Sequence, residues 1–179
     1  MKNTIFKYGL IAGVIIIAIP TISGWITGHG PETYETGEII GYSTIILSLM
    51  MIFFAVAEYQ KKHPDEFVGF RKVFLMGAGI SFISGFMFGL YNVIYAIYIN
   101  PEFVQQYYDY YISNIQNSGA TEESIAQQIQ QLESEKQYFM NPAFNFIVMF
   151  ATVFIIGLVV SIFSGLFQRD KNKQMSQTA

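Results

Sequence analysis

Apolar and polar positions alternate along this chain in long blocks. Residues 4–27, 39–59, 73–99 and 143–167 are four runs of mostly apolar residues, each long enough for a helix that crosses the roughly 30 Å of bilayer hydrocarbon. The third and fourth runs contain no charged residue, the first carries Lys7 near its start, and the second carries Glu58 at its end. Between the third and fourth runs the pattern changes. Residues 100–142 are polar, acidic and glutamine-rich. Asn100-Pro101 and Asn141-Pro142 each fit a helix N-cap followed by proline at the first helical position. Asn117-Ser118-Gly119-Ala120 reads as a turn, and Thr121-Glu122-Glu123 as a helix start with acids near the positive end of the dipole. The insert therefore predicts two helices, near residues 101–117 and 121–139. Val104, Tyr108, Tyr111 and Ile115 recur at helical spacing on the first arm, and Ile125, Ile129 and Leu132 on the second. Two narrow apolar stripes of this kind zip against each other and leave Gln and Glu to water. The predicted fold is all-α: a polytopic membrane protein forming a single membrane domain over residues 1–179. It has four transmembrane helices, with residues 100–142 as an extracytoplasmic helical hairpin between the third and fourth.

Composition agrees with the block pattern. Hydrophobic residues make up 52% of the chain and charged residues 13%, where about 25% charged is usual for soluble domains. That leaves too little polar surface to dissolve a soluble bundle carrying four such helices. Lys2 and Lys7 ahead of an apolar run resemble a signal peptide, but the run is long, extends through Trp25 and Ile26, and has no clean small-x-small cleavage site. It is read as an uncleaved anchor. Pro20 removes one backbone hydrogen bond from this helix, and the Ser, Thr and Gly around it are placed to satisfy the freed groups. The chain has no cysteine, which excludes disulfides and thiolate metal sites. Nor does it carry a nucleic-acid signature, since its few basic residues sit in short clusters.

Charge changes the picture by giving an orientation. Nine of the ten basic residues (Lys2, Lys7, Lys61, Lys62, Arg71, Lys72, Arg169, Lys171 and Lys173) flank the first span, join the second to the third, or follow the fourth. The other side, residues 28–38 and 100–142, holds only Lys136 and nine of the thirteen acids. Positive residues favour the cytoplasm, so both termini are expected there.

The candidate chemistry is mostly packing chemistry. Gly77, Ser81, Gly85 and Gly89 recur every four residues on the third span, and Gly157, Ser161 and Gly165 form a similar ridge on the fourth. Small ridges let helix backbones approach closely. They predict packing of the third span on the fourth or, in a sharper reading, a homo-oligomer. Tyr107, Tyr108, Tyr110 and Tyr111 circle the first hairpin arm, as a surface for an extracytoplasmic protein partner or as hairpin core and interface aromatics. Glu58 lies one turn from Lys61 and Lys62, where an ion pair is expected. Asn92 and Asn145, the most polar groups within the spans, are expected to hydrogen-bond between helices. Glu32, Glu35 and Glu38 are expected to be solvated loop carboxylates, and His29 and His63 fall on opposite sides of the membrane. No phosphate loop, dinucleotide fingerprint or nucleophile elbow occurs. An enzyme, a bound metal and a cofactor are therefore not expected.

Several short motifs carry a resemblance. They are Lys7-Tyr8-Gly9-Leu10, Gly37-Glu38-Ile39-Ile40-Gly41-Tyr42, Glu58-Tyr59-Gln60-Lys61, Gly69-Phe70-Arg71-Lys72-Val73-Phe74 and Tyr98-Ile99-Asn100-Pro101-Glu102-Phe103. With the acidic hairpin and basic tail, the chain resembles the bacterial membrane-protein family called domain of unknown function 4199 over nearly its whole length. The resemblance implies a small four-span inner-membrane protein and brings no activity, cofactor or catalytic residue. The expected function is non-enzymatic, a structural or interaction role through the hairpin. The alternative is a small oligomeric transporter or channel.

Overall fold

The structure is a computed structural model that describes residues 1–28 and 30–178. His29, Ala179 and the side chains of residues 169–178, including the cations Arg169, Lys171 and Lys173, lie outside the described residues. The described residues form seven α-helices and no strand: α1 Lys2–Thr27, α2 Tyr34–Leu49, α3 Met51–Lys62, α4 Phe70–Ile94, α5 Phe103–Gln116, α6 Glu122–Phe139 and α7 Pro142–Thr178. Four stretches are long and apolar enough to cross a membrane: Lys2–Thr27, Pro31–Lys62, Phe70–Ile99 and Pro142–Gln168. The protein is thus all-helical, with the build of a multi-pass membrane protein.

The second span starts earlier than its apolar run. Pro31–Thr33 form a short 3-10 turn that leads directly into α2 at Tyr34, so Glu35 and Glu38 lie in a helix rather than a loop. Met50 separates α2 from α3, yet it keeps helical φ/ψ of −61° and −15°. Its N–H is shared between the carbonyls of Ile46 and Leu47. The two helices therefore act as one rod with a local tightening. Helix α1 stays helical through Pro20. Thr21 Oγ1 donates to the Ile17 carbonyl at 2.6 Å, so the 2.7 Å contact between Thr21 and Tyr91 has the tyrosine hydroxyl as donor, which ties α1 to α4.

Helix α4 packs on α7 on one side and on α1 on the other, and the second span leans on α1 and α7. The small residues set the spacing and direction. A methyl at Gly77 would collide with Ser161, and one at Gly157 with Ser81. A methyl at Gly85 would stand 3.0 Å from the Phe150 carbonyl oxygen, one at Gly89 3.0 Å from that of Phe146, and one at Gly165 2.6 Å from the Phe70 ring. The numbers rise on α4 as they fall on α7, so the two helices run antiparallel with both ridges in the seam. On the other side, a methyl at Gly9 would stand 2.8 Å from Ile83 and one at Gly13 would collide with Met87, so α1 and α4 run parallel. Ser81 and Ser161 donate to the carbonyls of Gly77 and Gly157 in their own helices, at 2.8 and 2.6 Å. This keeps their hydroxyls satisfied while backbones approach.

Two apolar layers fill the bundle. Ile16, Ile45, Leu49 and Val153, with Phe88 against them, join all four spans in one layer. Nearer the basic end, Ile52, Ala55, Val56 and Tyr59 of α3 pack with Val73, Met76 and Ile80 of α4 and with Ile5 and Tyr8 of α1. Outward-facing Val14, Leu47, Phe54, Ile155 and Phe163 are all exposed, as befits surfaces that meet lipid.

Candidate functional site

The most elaborate polar construction in the described residues joins the hairpin to the start of the second span. Helix α4 ends in a π turn over Tyr95–Ile99, closed by the Asn100 N–H on the Tyr95 carbonyl at 2.8 Å. Pro101 cannot continue the pattern, since it lacks a donor. The chain then turns over Pro101 and Glu102, with Phe103 N–H on the Asn100 carbonyl, so α5 begins two residues later than the Asn-Pro pair suggests. Arm reversal follows the expected chemistry. Gly119 takes φ of 72°, a left-handed turn conformation that favours glycine. Thr121 Oγ1 accepts from the Ser124 N–H at the start of α6. Asn141 Oδ1 accepts from the Ala143 and Phe144 N–H groups at 2.9 and 3.4 Å and caps α7, with Pro142 at its first position.

The arms are zipped along the predicted stripes except at Tyr111, which turns from the arm seam to Glu38 of α2. Tyr108 is buried and packs against Phe139, while Val104, Ile115, Ile125, Ile129 and Leu132 are half-buried. Lys136 Nζ on α6 donates to Asp109 Oδ1 on α5 at 2.9 Å. Lys136, and then the Gln105 amide, hold the Asp109 carboxyl below its usual range.

The tyrosine ring of α5 turns toward the bundle. Tyr107 and Tyr111 both donate to Glu38 Oε1, at 2.6 and 2.7 Å. One turn before Glu38 lies Tyr34, 7% exposed. Its ring meets those of Phe103, Tyr107 and Tyr110 at 5.5 to 6.0 Å, edge-on to Phe103 and Tyr110. Tyr34 and Glu38 form an i,i+4 pair on α2, while Phe103, Tyr107 and Tyr111 recur every four residues on α5 (Tyr110 lying beside them). The two helices thus meet through an aromatic box closed by a carboxylate. Burial, then the Glu38 hydrogen bonds, push the Tyr107 phenol far above its ordinary value and the Tyr111 phenol up to about 12. Burial, then the charge of Glu135, pushes Tyr108 up to about 12. Of the four tyrosines singled out in the sequence, Tyr107, Tyr110 and Tyr111 join this clasp and Tyr108 joins the arm interface. Tyr34 and Glu38 were missed. Glu38 reads as one of three loop acids, and only its i,i+4 spacing from Tyr34 marks it.

A second polar knot ties the other end. Glu58 accepts from Lys62 on its own helix at 2.7 Å, and also from Lys7 at 2.6 Å and the Tyr8 hydroxyl at 2.7 Å on α1. The expected local pair is present with Lys62, and the bonds to α1 go beyond it. In the connector that follows, Lys72 and then the Tyr59 hydroxyl bind Glu66 and hold its carboxyl below the usual range. His63 stacks on Tyr59 with centroids 4.3 Å apart.

Within the spans, Asn92 Nδ2 donates to the Phe88 carbonyl of its own helix at 2.9 Å, not to a neighbouring helix. Asn145 is buried and its Oδ1 lacks a hydrogen-bond partner, as does buried Ser48 Oγ. No group of three or more His, Cys, Asp or Glu suited to a metal occurs among the described residues. Chemically, the clasp joins helices: its one carboxylate accepts from two neutral phenols, and it includes neither a nucleophile–base pair nor a metal-ligand cluster.

No curated protein and no solved structure matches this chain. The family described as "Protein of unknown function (DUF4199)" matches residues 7–170, from the Lys7 knot through all four spans and the hairpin, and the protein belongs to that family.

Proposed function

We propose that the protein is a non-enzymatic interaction protein of the cytoplasmic (inner) membrane that presents its acidic hairpin to a partner on the extracytoplasmic side. The observation that carries this reading is the clasp. Two charge-assisted hydrogen bonds to Glu38 and the aromatic box around Tyr34 hold α5 on the bundle. A connector that merely links two spans needs no such fixture, whereas a binding element gains affinity when its ordering cost is met beforehand. The side left outward is suited to recognition: Glu122, Glu123, Gln127, Gln130 and Glu133 are exposed on α6. Residues 100–142 hold six acids against one lysine, so a basic surface is the complementary partner. The basic residues at the opposite end support cytoplasmic termini.

The transporter reading has weaker support. Buried Asn145 and Ser48 carry unpaired oxygens, but Ile16, Leu49, Ile52, Met76, Ile80 and Val153 are fully buried across the bundle, which leaves its interior packed with side chains. The test replaces Glu122, Glu123 and Glu133 together by Gln and, separately, residues 105–136 by a Gly/Ser linker. Both variants should keep folded spans and lose cross-linking between the hairpin and its partner. Ion or solute flux in proteoliposomes that persists in both variants would overturn the proposal in favour of transport.

A further inference from the structure

The outer seam between α1 and α4 carries a groove that neither the family nor the hairpin explains. It is a shallow, open groove of about 500 Å³ lined by Lys2, Asn3, Ile5, Phe6, Lys7 and Ile83. Its two ends differ chemically. Lys2 and Asn3 stand at the mouth, at the start of α1. The other end reaches Ile83, which lies against Gly9, seven residues from Lys2 or roughly 10 Å along the helix at 1.5 Å per residue. Ile5, Phe6 and Ile83 make the walls apolar between these ends, and Phe6 is 60% exposed.

The positive charge lining the groove is unbalanced. Lys7 spends one contact on Glu58 Oε2 at 2.6 Å, but its side chain stays 52% exposed and an ammonium has three donors. Glu58 is also shared with Lys62 at 2.7 Å, so Lys7 and Lys62 divide one carboxylate between them, and Lys2 adds a further positive charge to the groove lining. In a protein whose α1 is long and apolar enough to cross a bilayer, the exposed Phe6 wall makes this open groove a surface for lipid. Two lysines and an amide beside apolar walls, in a groove that runs about 10 Å along α1, match an anionic headgroup followed by the upper part of its acyl chain.

We infer that the α1–α4 groove is a binding site for one anionic glycerophospholipid, its phosphate held by Lys2, Asn3 and the free donors of Lys7 and its acyl chain laid along Ile5, Phe6 and Ile83. The site differs from the general attraction of basic flanks for anionic membranes because it adds a fitted apolar wall. It is independent of the hairpin and lies at the opposite end of α1.

The test uses the full chain purified in detergent and titrated with phosphatidylglycerol or phosphatidylcholine, bound lipid being counted by native mass spectrometry. One phosphatidylglycerol should bind about tenfold more tightly than phosphatidylcholine. Lys2→Glu should remove that preference, and Ile83→Trp, which fills the trough, should weaken retention of the lipid. Lys61→Gln, which deletes a charge elsewhere at the same end, should change neither result. Each variant's helicity is checked by circular dichroism, and the intact fold of Lys2→Glu, at an exposed terminal position, keeps the test decisive. Equal binding of the two lipids, or equal loss on Lys61→Gln and Lys2→Glu, would overturn the site in favour of diffuse charge. Displacement of the lipid by millimolar inorganic phosphate would overturn the role of the acyl trough.

Discussion

Glu38 shows how far a residue's role depends on its partners. In the sequence it is one of three acids in a short connector. In the structure, Tyr107 and Tyr111 close on one of its oxygens, about 70 positions away in the chain, and no local pattern announces such a pairing. The tyrosines were legible because four rings in five positions are unusual; their target was not. A hydrogen bond to a charged group contributes about 1.5–3 kcal/mol, so Tyr107→Phe should loosen the hairpin by roughly that amount while leaving the spans inserted. Hydrogen exchange along α5 would register it, and unchanged protection would remove the clasp from the account. The pH dependence has a definite sign. Ordinary tyrosines ionise near 10, whereas burial holds Tyr108 and Tyr111 up to about 12. Below about pH 10 these phenols are neutral whether the hairpin is folded or unfolded, and its stabilisation is complete. Between about 10 and 12 the unfolded arm loses protons that the folded arm keeps, so stability falls as pH rises. Phenolate absorbance from Tyr108 and Tyr111 should therefore appear near pH 12 rather than near 10, with hairpin protection lost as it does. A single step near the ordinary value would contradict the burial.

At the scale of elements, periodicity carried most of the information, and local steric details were lost. The apolar runs marked the spans because 20 or so residues without charge have few other uses. The hairpin arms were legible from caps and turn chemistry at Gly119, Thr121 and Asn141. The tightening at Met50 and the π turn at Tyr95–Ile99 follow from no motif, since both arise from how neighbouring helices receive the chain. The glycine–serine ridges were legible as small surfaces, but their partner depends on register. The structure sets Gly85 against the Phe150 backbone and ring, and Gly89 against those of Phe146. Adding three carbons beyond a Cβ that already stands 3.0 Å from a carbonyl oxygen forces the helices apart, and overpacking of this kind costs about 1–3 kcal/mol or more. The neighbouring Phe86 is half-exposed to lipid and makes one edge-to-face contact with Phe146, worth about 0.5–1.5 kcal/mol. Gly85→Leu should therefore lower the melting temperature in detergent clearly more than Phe86→Leu. Equal melting would mean that the seam does not depend on the close approach of α4 and α7.

For the whole molecule, the separation of charge along the chain becomes a separation in space. Lys7 of α1, Glu58 and Lys62 of α3, Glu66 of the following connector and Lys72 of α4 meet at one end. Glu38 and the hairpin lie at the other. The parallel course of α1 and α4 and the antiparallel course of α4 and α7 are what four alternating crossings require, so the count of spans and their relative directions support one another. The proposed cytoplasmic end rests on the basic residues alone: lysines and arginines resist translocation, while acids contribute little to orientation. Because the chain has no cysteine, single cysteines report the two ends without background. Ser118 sits at the exposed tip of the hairpin and Asp65 in the exposed connector between α3 and α4. An impermeant maleimide applied to intact spheroplasts should label Ser118→Cys and leave Asp65→Cys unlabelled until the membrane is opened. The reverse pattern would place the acidic hairpin inside the cell and remove the extracytoplasmic partner from the proposed function. Labelling of both positions before opening would break the alternation of crossings, and the four-span reading with it.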